Sequence, residues 1–407
     1  MIRHHATGRK AVRDMRVIFA SLGNYGHMFP MVPLAQAAQA AGHDVWFATS
    51  EQFHPILEKA GLRPVTAGPS VPEAYIEAAG GQAFLEANGG ATKASDIPPD
   101  VLAALGVKAF SSVLPRSVSA DLARVFDSVR PDLVVYETYN PGAAFAAVTA
   151  GVPAVCHGIG RVSYDATMDP LFQQELFATA TDLGVADKIG QSRTLGNPFI
   201  DICPPSVQNE AFVAEGVQRI PQRPVFFAEP GELPARVTQG EGPLVYLSLG
   251  TVLGSAELLR TAIDGLLPLD VRILVATGPV VDPAALGELP DRVVALPWLP
   301  QPEALRHATA VVHHGGQGTS LASLAAGLPQ LILAQPGDGI GNASAVRATG
   351  VGSYLLPEDV SAEAVEAAVR PLLADGAHRE AARAVAREIE AMPEPAETVA
   401  RFPEFVR

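Results

Sequence analysis

The chain has few residues of the kinds that build disulfide-rich, membrane-spanning or nucleic-acid-binding proteins. Its two cysteines, Cys156 and Cys203, cannot form a disulfide framework or a zinc motif. Basic residues are outnumbered, 29 Lys and Arg against 43 Asp and Glu, and the net charge of −14 disfavours nucleic acid or an anionic membrane as partner. The longest apolar stretch, around Ala143–Cys156, is broken by Gly151 and Pro153, which argues against a membrane span.

Residues 1–14 form a short basic segment, MIRHHATGRKAVRD. It has no apolar core, so it does not fit a secretory signal. Met15 directly precedes the first predicted strand, which leaves two alternatives: a start at Met15, or a disordered or added basic N-terminal arm. With no disulfide pattern and no export signal, we expect the protein in a reducing cytoplasm.

Short apolar segments alternate with segments of helical pattern along both halves of the chain. This β-α-β rhythm is typical of an α/β fold with a doubly wound parallel sheet, and 407 residues accommodate two domains of about 150–200 residues each. The predicted strands of the first half are Arg16–Ala20, Val45–Thr49, Leu133–Tyr136 and Ala154–His157. Those of the second half are Leu244–Leu249, Arg272–Ala276, Val293–Ala295, Ala310–His314 and Leu331–Ala334.

A segment dense in proline, glycine and charge separates the two series of strands. We therefore predict one domain at residues 15–218, a linker at 219–242, a second domain at 243–392 and a C-terminal segment at 393–407. Residues 66–115 have no clear period, which predicts loops and short helices over the active face. Two such domains that face each other leave a cleft between the carboxyl edges of their sheets.

The most informative segment is the run HHGGQGT, His313–Thr319. Here a predicted strand runs into a glycine-rich turn, and a helix is predicted to begin at Thr319. Free backbone N–H groups and the positive end of a helix dipole then face one point, where a phosphate or diphosphate binds. The alternative is a strand-to-helix turn with no ligand.

Residues on either side of this run complete a candidate nucleotide site. Trp298 lies between Pro297 and Pro300 near a strand end, where a flat base can stack on the indole; the alternative is an ordinary core tryptophan. Asp338 and Asn342 follow the next strand, at the same edge of the sheet. Together these residues predict a site for a nucleotide joined to another group.

At this spacing the residues resemble the donor-site signature of family 1 glycosyltransferases. The matching elements are Trp298-x-Pro300-Gln301, His313-x-Gly315, Thr319, Gly327-x-Pro329 and Asp338-x-x-x-Asn342. The likeness runs from Met15 to the C-terminus, and Leu195–Ser206 and Gly327–Gln330 are similar to bacterial enzymes that attach deoxysugars to antibiotics, enediynes among them. It implies the GT-B fold, two Rossmann-like domains facing a cleft, with a last helix that crosses back onto the N-terminal domain.

The resemblance also implies a role for each residue of the signature. His313 takes the phosphate-binding place, and His314 is a packed neighbour or a supporting group. Ser248–Thr251 lines the β-phosphate, and Trp298 stacks on the base. The donor-binding residues implied in this way are Trp298, Leu299, Gln301, His313, Gly315, Gly316, Gln317, Gly318, Thr319, Ser248, Gly250, Thr251, Asp338, Gly339 and Asn342.

His27, in the loop after the first strand, matches the family's general base, the group that removes the acceptor proton. An imidazole suits this task because its pKa lies near working pH; the alternative is a loop histidine that packs or caps a helix. Glu137 ends a strand where family members often carry Asp bonded to the base, so we expect it to orient His27 and stabilise the imidazolium, although its extra methylene changes the reach. His157 and Arg161 are expected to line the acceptor side without taking part in the chemistry.

The chain departs from the family pattern after Asp338. The family commonly has Asp-Gln there, a pair that holds sugar hydroxyls, whereas this chain has Gly339, which offers no side-chain donor. A deoxysugar has fewer hydroxyls to satisfy, so the departure suits one. Thymidine diphosphate (TDP) is the expected carrier, by resemblance alone.

The sequence contains no Asp-x-Asp, the usual ligand pair for a divalent ion in the other major glycosyltransferase fold. We therefore expect neither metal nor cofactor, with the helix end, His313 and Thr319 balancing the diphosphate charge. The predicted function is an inverting, metal-independent glycosyltransferase. It would move a sugar from a nucleoside diphosphate to a small apolar acceptor, as a monomer or homodimer.

Other functions are compatible with the same cleft. One is a sugar-nucleotide epimerase of this fold, and another is a non-catalytic nucleotide-binding partner of a glycosyltransferase, which an intact His27 disfavours. A nicotinamide oxidoreductase is disfavoured because no strand is followed by Gly-x-Gly-x-x-Gly and an acid about 20 residues later.

Overall fold

The computed structural model describes residues 14–81, 98–164, 167–251, 254–335 and 338–406. The predicted basic arm lies outside these ranges except for Asp14, and so does part of the 66–115 region, residues 82–97. The described chain forms two α/β domains, each built on a parallel sheet, as predicted.

The N-terminal sheet has seven described strands in the order β3-β2-β1-β4-β5-β6-β7. Their bounds are β1 Arg16–Ala20, β2 Asp44–Thr49, β3 Arg63–Thr66, β4 Leu133–Glu137, β5 Ala154–His157, β6 Phe199–Asp201 and β7 Arg219–Pro221. Because β7 pairs with β6, the sheet extends into the predicted linker, and the connection between the domains begins after Pro221.

The C-terminal sheet has six described strands in the order β10-β9-β8-β11-β12-β13. Their bounds are β8 Leu244–Ser248, β9 Arg272–Ala276, β10 Val293–Leu296, β11 Ala310–His313, β12 Gln330–Leu333 and β13 Gly352–Leu355. Strand β11 therefore ends one residue earlier than predicted.

Helices cover both faces of the sheets. Those of the N-terminal domain are α1 Tyr25–Met28, α2 Val32–Ala40, α3 His54–Lys59, α4 Val71–Ala78, α5 Pro99–Lys108, α6 Leu114–Val129, α7 Pro141–Ala150, α8 Met168–Asp182 and α9 Glu210–Ala214. The linker holds α10 Ala235–Thr238, and the C-terminal domain holds α11 Ala256–Leu266, α12 Gln301–His307, α13 Gln317–Ala325, α14 Asp338–Ala348, α15 Ala362–Val369 and α16 Ala377–Glu390. The terminal segment forms α17 Pro395–Ala400 and α18 Phe402–Phe405. Helix α13 begins two residues before the predicted Thr319.

The terminal segment packs on the N-terminal domain. The ring of Phe402 is fully buried, and its centroid lies 6.5 Å from that of Phe19 on β1. The backbone N–H of Arg223 donates to the carbonyl of Pro393, which joins the returning chain to the start of the linker. The chain therefore passes between the domains twice.

Within the described ranges, one helical segment, Asp100–Val129, is long and apolar enough to cross a membrane by length and composition alone. It joins α5 and α6 through a π-helical stretch, Ala109–Val113. The α6 residues Leu114, Val118, Leu122 and Phe126 are buried in the core of the N-terminal domain. That burial is typical of a core helix in a globular domain.

The order of strands places the candidate residues. In the N-terminal sheet β1 lies beside β4, and in the C-terminal sheet β8 lies beside β11. The loops after neighbouring strands lead to opposite faces at such a point, and the crevice between them binds ligands in open α/β sheets. His27 follows β1 and Glu137 ends β4, whereas the two glycine-rich turns follow β8 and β11.

Candidate active site

The first element of the site is a histidine–carboxylate pair at the carboxyl edge of the N-terminal sheet. Nδ1 of His27, in α1, lies 3.0 Å from Oε1 of Glu137, the last residue of β4. Glu137 is fully buried and also accepts the backbone N–H groups of Leu22 and Tyr139, at 3.4 and 2.7 Å. Its carboxylate is therefore fixed, and the longer side chain still reaches the base. With Nδ1 donating, Nε2 of His27 is the free acceptor.

The electrostatic surroundings of His27 favour proton uptake. Burial by itself lowers the pKa of the imidazole, but the charge of Glu137, its hydrogen bond to Nδ1 and the charge of Asp338 together raise the pKa above its ordinary value. The half-buried ring stands against Tyr139, edge to face at 5.6 Å, and against Phe110 at 6.3 Å. Sequence analysis missed both aromatic residues.

Phe110 owes its place to the π-helical stretch between α5 and α6, in which one turn carries an extra residue. Tyr75 on α4 meets the ring of Phe110 edge to face at 6.2 Å. Together Tyr75, Phe110 and Tyr139 form an aromatic wall beside His27. Tyr75 and Phe110 belong to the 66–115 region, for which the sequence predicted loops and short helices over the active face.

The second element consists of two glycine turns, one after β8 and one after β11. A Cβ built on Gly250 would lie 2.4 Å from Cε1 of His314, and one built on Gly316 would lie 2.4 Å from its Nε2. The imidazole of His314 therefore fills the space between the turns, and only glycine leaves room for it at both positions. Ser248 supports the first turn, because its hydroxyl accepts the backbone N–H of Gly250 at 3.3 Å.

The structure conflicts with the phosphate-binding role expected for His313, whereas His314 packs between the two turns. His313 is fully buried: its Nε2 is 2.8 Å from Oε1 of Gln330, and its Nδ1 accepts the backbone N–H of Gly315 at 3.1 Å. With both nitrogens engaged inside the protein, His313 has none left for a phosphate. His314 has an unpartnered Nδ1. Burial lowers the pKa of His313 to about 3 and that of His314 to about 4, so both rings are neutral near pH 7.

Helix α13 begins in the second turn with no side-chain cap at Gly316, so its first N–H groups remain available to a ligand. Thr319 lies in its first turn, and its hydroxyl accepts a hydrogen bond from Nε2 of Gln301 at 3.1 Å. The same nitrogen lies 3.3 Å from the hydroxyl of Tyr246. Gln301 therefore fixes the first turn of the helix.

Trp298 is partly exposed, as expected for a base-stacking residue. Its indole is 37% exposed, while its neighbour Leu299 is buried. The indole centroid lies 5.2 Å from that of Tyr25 and 6.5 Å from that of Phe29, both in the N-terminal domain. The indole thus stands at the mouth of the cleft, between the domains.

Asp338 starts α14 and faces the N-terminal domain, where the hydroxyl of Ser163 lies 3.4 Å from its Oδ1. Burial raises the pKa of this carboxyl, against contacts with Gln317, His27, Ser163 and Tyr139 that lower it. The charge of Asp338, followed by burial, raises the pKa of Tyr139 well above its ordinary range. Asp338 is therefore the acidic neighbour shared by the base and by Tyr139.

Gly339 and Asn342 hold α14 against the second glycine turn. A Cβ on Gly339 would lie 2.9 Å from the backbone oxygen of His314, so this helix approaches closer than a side chain permits. Asn342 is buried and donates from Nδ2 to the carbonyl of Gly315 at 2.8 Å. Asn342 therefore supports the turn from behind.

Other predicted residues are placed differently. The side-chain amide of Gln317 pairs with the backbone of Arg161 beside Asp338, and His157 is fully buried with neither ring nitrogen partnered. Burial lowers the pKa of His157 to about 4. No three His, Cys, Asp or Glu side chains of the described ranges converge as metal ligands. The expectation of metal-free chemistry stays a prediction.

Comparison with known proteins follows the same division into domains. The protein-family model described as erythromycin biosynthesis protein CIII-like, N-terminal domain, matches residues 36–238. The family model of the corresponding C-terminal domain matches residues 260–405. The L-demethylnoviosyl transferase of Streptomyces niveus is 33% identical over 390 residues, covering 94% of this chain and 96% of that protein.

Solved structures agree with this comparison. The glycosyltransferase SsfS6 of Streptomyces sp. SF2575, complexed with thymidine diphosphate, is 26% identical, with a TM-score of 0.74 over 96% of this chain and 99% of that one. The calicheamicin glycosyltransferase CalG4 shares the fold, with 23% identity and a TM-score of 0.76 over 97% and 99% of the two chains. The predicted GT-B fold is thereby confirmed.

Proposed function

Because the chain belongs to the erythromycin biosynthesis protein CIII-like family and is a glycosyltransferase, we propose that it moves a deoxysugar from TDP to a small apolar natural product, with inversion at the anomeric carbon. The observation that carries the proposal is the His27–Glu137 pair, which stands opposite the two glycine turns of the other domain. We place this chemistry in the cytoplasm.

In the proposed reaction Nε2 of His27 takes the proton of the acceptor hydroxyl. The hydroxyl oxygen then attacks the anomeric carbon, and the bond from that carbon to the diphosphate oxygen breaks on the opposite face. The imidazolium that forms is stabilised by the buried carboxylate of Glu137. The products are the glycoside, TDP and a proton on His27, which passes to solvent.

The leaving diphosphate would be held by the N-terminus of α13 and the two glycine turns. Partial positive charge at the helix start opposes the charge that develops on the departing oxygens. We assign the imidazole contact to His314, because the ring lies between Gly250 and Gly316 and its buried Nδ1 has no hydrogen-bond partner within the protein. Thr319 can donate its hydroxyl proton, since it accepts from Gln301. Trp298 would stack on the thymine.

The preference for a deoxysugar rests on Gly339 and the name of a relative. Gly339 offers no side chain to a sugar hydroxyl, and its tight contact with the turn leaves no room for one. Asp338 is then the carboxylate available to the sugar. The relative from S. niveus bears the name of an L-demethylnoviosyl transferase. The aromatic wall of Tyr75, Phe110 and Tyr139 favours an apolar acceptor.

Calorimetric titration with TDP in a buffer that contains a chelator tests the donor site. We expect one-to-one binding without added metal. Absence of binding would overturn the proposed donor. A change in the sugar without any acceptor would then indicate the sugar-nucleotide epimerase. A bound nucleotide with no turnover under any acceptor would indicate the non-catalytic partner.

A further inference from the structure

Gln317, the first residue of α13, connects the second glycine turn, which we propose to hold the diphosphate, to the N-terminal domain. Its Oε1 accepts the backbone N–H of Arg161 at 2.9 Å, and its Nε2 donates to the backbone carbonyl of Arg161 at 2.8 Å. The side-chain amide thus pairs with both polar groups of one residue, 156 positions earlier in the chain. Gln317 is 6% exposed, so water competes little for these bonds.

The surface that receives Gln317 is shaped for it. Gly160 has φ +155°, and a Cβ there would lie 2.3 Å from Oε1 of Gln317. On the other side, a Cβ on Gly341 of α14 would lie 3.1 Å from the hydroxyl of Ser163. The segment 160–163 is therefore held between the starts of α13 and α14.

That segment is also anchored within its own domain. Nε of Arg161 donates to the carbonyl of Val207 at 3.0 Å, and the backbone N–H of Val162 donates to Oε1 of Gln208 at 2.9 Å. Gln208 in turn donates to the buried carboxylate of Asp201 on β6. A displacement of α13 would therefore act on the N-terminal sheet and not merely on a loose loop.

We infer that Gln317 is a positioning residue, which fixes the diphosphate turn relative to the acceptor domain and so sets the distance between the donor sugar and His27. The inference rests on the proposed function. One turn then has two tasks. Its backbone N–H groups and His314 bind the diphosphate, and the Gln317 side chain fixes the position of one domain relative to the other. If the domains lose this relative position, the acceptor is no longer aligned with the donor sugar, and water competes better as the nucleophile.

Only an amide serves at this position. A carboxylate accepts the N–H of Arg161 but has no proton for its carbonyl, and an apolar side chain of similar length offers neither bond. Gln317→Glu and Gln317→Met therefore break the pairing in different ways while keeping the size of the side chain. Gln36→Ala is the matched control, because Gln36 donates to the carbonyl of Ala60 inside the N-terminal domain.

Hydrogen exchange in the protein without ligand measures the pairing independently of activity. In Gln317→Met we expect the Arg161 amide to exchange about tenfold faster or more, since its acceptor is gone. The Val162 amide, bonded to Gln208, serves as the internal reference and should keep its protection. Unchanged exchange at Arg161 in Gln317→Met would overturn the inference, whether or not the protein binds TDP.

The ratio of glycoside formed to donor hydrolysed measures the consequence. In both Gln317 variants we expect this ratio and kcat to fall about tenfold, while the affinity for TDP changes less than about threefold. Gln36→Ala should leave all three quantities unchanged. A Gln317 variant with fast exchange at Arg161 and an unaltered ratio would show that the contact is structural only. Failure of the wild-type protein to bind TDP would instead count against the proposed donor site.

Discussion

Glu137 holds Nδ1 of His27 at 3.0 Å, although 110 residues separate the two in the chain. The contact arises because β1 and β4 are neighbours in the sheet, so that the loop after one strand meets the end of the other. Glu137 is also tied to two backbone N–H groups, which leaves it little freedom to move away. The base is thus oriented by the fold itself, and its reactivity depends on one buried carboxylate.

Replacement of His27 by Ala removes the group that takes the acceptor proton. We expect kcat to fall by about 10²–10⁴, the usual contribution of a general base, with TDP affinity unchanged. Steady-state kinetics and calorimetry measure the two quantities. His378→Ala is a suitable control, since that ring contacts the carbonyl of Gly350 in the other domain. Full turnover in the His27 variant would contradict the proposed mechanism.

The pH dependence of kcat/KM reports the protonation of the base. Because its surroundings raise the pKa of His27, the acid limb should lie above pH 6.5, with activity lost as pH falls through that limb and the ring becomes protonated. Glu137→Gln removes the negative charge, so the limb should move to lower pH while the maximal rate falls. A limb that stays in place in this variant would exclude Glu137 as the cause.

The two adjacent histidines should respond differently to mutation. His314→Ala removes the imidazole between the glycine turns, so we expect TDP affinity to fall about 10- to 100-fold, with a smaller loss of melting temperature than in His313→Ala. His313→Ala leaves Oε1 of Gln330 and the backbone N–H of Gly315 without their partner in the core and should destabilise the fold by about 2–3 kcal/mol. Calorimetric titration and thermal unfolding separate the effects. A loss of TDP affinity in His313→Ala but not in His314→Ala would indicate that His313 contacts the phosphate.

Replacement of Gly316 by Ala tests whether TDP binding depends on the position of the His314 ring. Ala at this position would crowd Nε2 of His314, and Gly316 has an ordinary φ of −63°, so backbone strain does not enter. We expect TDP affinity to fall about tenfold or more. Gly376→Ala, where a Cβ meets nothing within 4 Å, is the control. Gly318→Ala also meets no protein atom, so a loss of affinity there would place the ligand itself beside Gly318.

Donor preference tests the meaning of Gly339. With no side-chain partner for a further hydroxyl, the site should turn over a TDP-deoxysugar at higher kcat/KM than TDP-glucose, by about tenfold or more. Competition between the two donors for one acceptor, followed by mass spectrometry of the glycosides, gives the ratio directly. Equal kcat/KM for the two donors would contradict the proposal that Gly339 makes the site prefer a deoxysugar.

The sequence was sufficient for the fold because buried parallel strands are continuous apolar runs. All nine predicted strands are present, with ends shifted by one residue at most. Four described strands were missed: β3 is a four-residue edge strand that contains Pro64, β13 is a short edge strand that begins at Gly352, and β6 and β7 have only three residues each. Such strands have no apolar run to mark them.

Site residues were predictable where a sequence motif determines the backbone conformation. They were missed where tertiary packing determines which way a side chain points. Adjacent histidines at a strand end point in different directions, and only the pairing of His313 with Gln330 on β12 shows which ring is enclosed. The places of Phe110 and of Gln317 depend on a π-helical stretch and on contact between domains. Neither leaves a local pattern in the sequence.

The return of the last residues to the N-terminal domain decides how this protein can be recombined with its relatives. Phe402 fills a space in the first domain, beside Phe19, although almost all of the second domain lies between them in the chain. A hybrid made by a single crossover in the linker would therefore place a foreign terminal helix in the native core of the acceptor domain. A hybrid intended to exchange donor preference needs two crossovers, one after Pro221 and one before Glu394, so that each hydrophobic core keeps residues of a single parent.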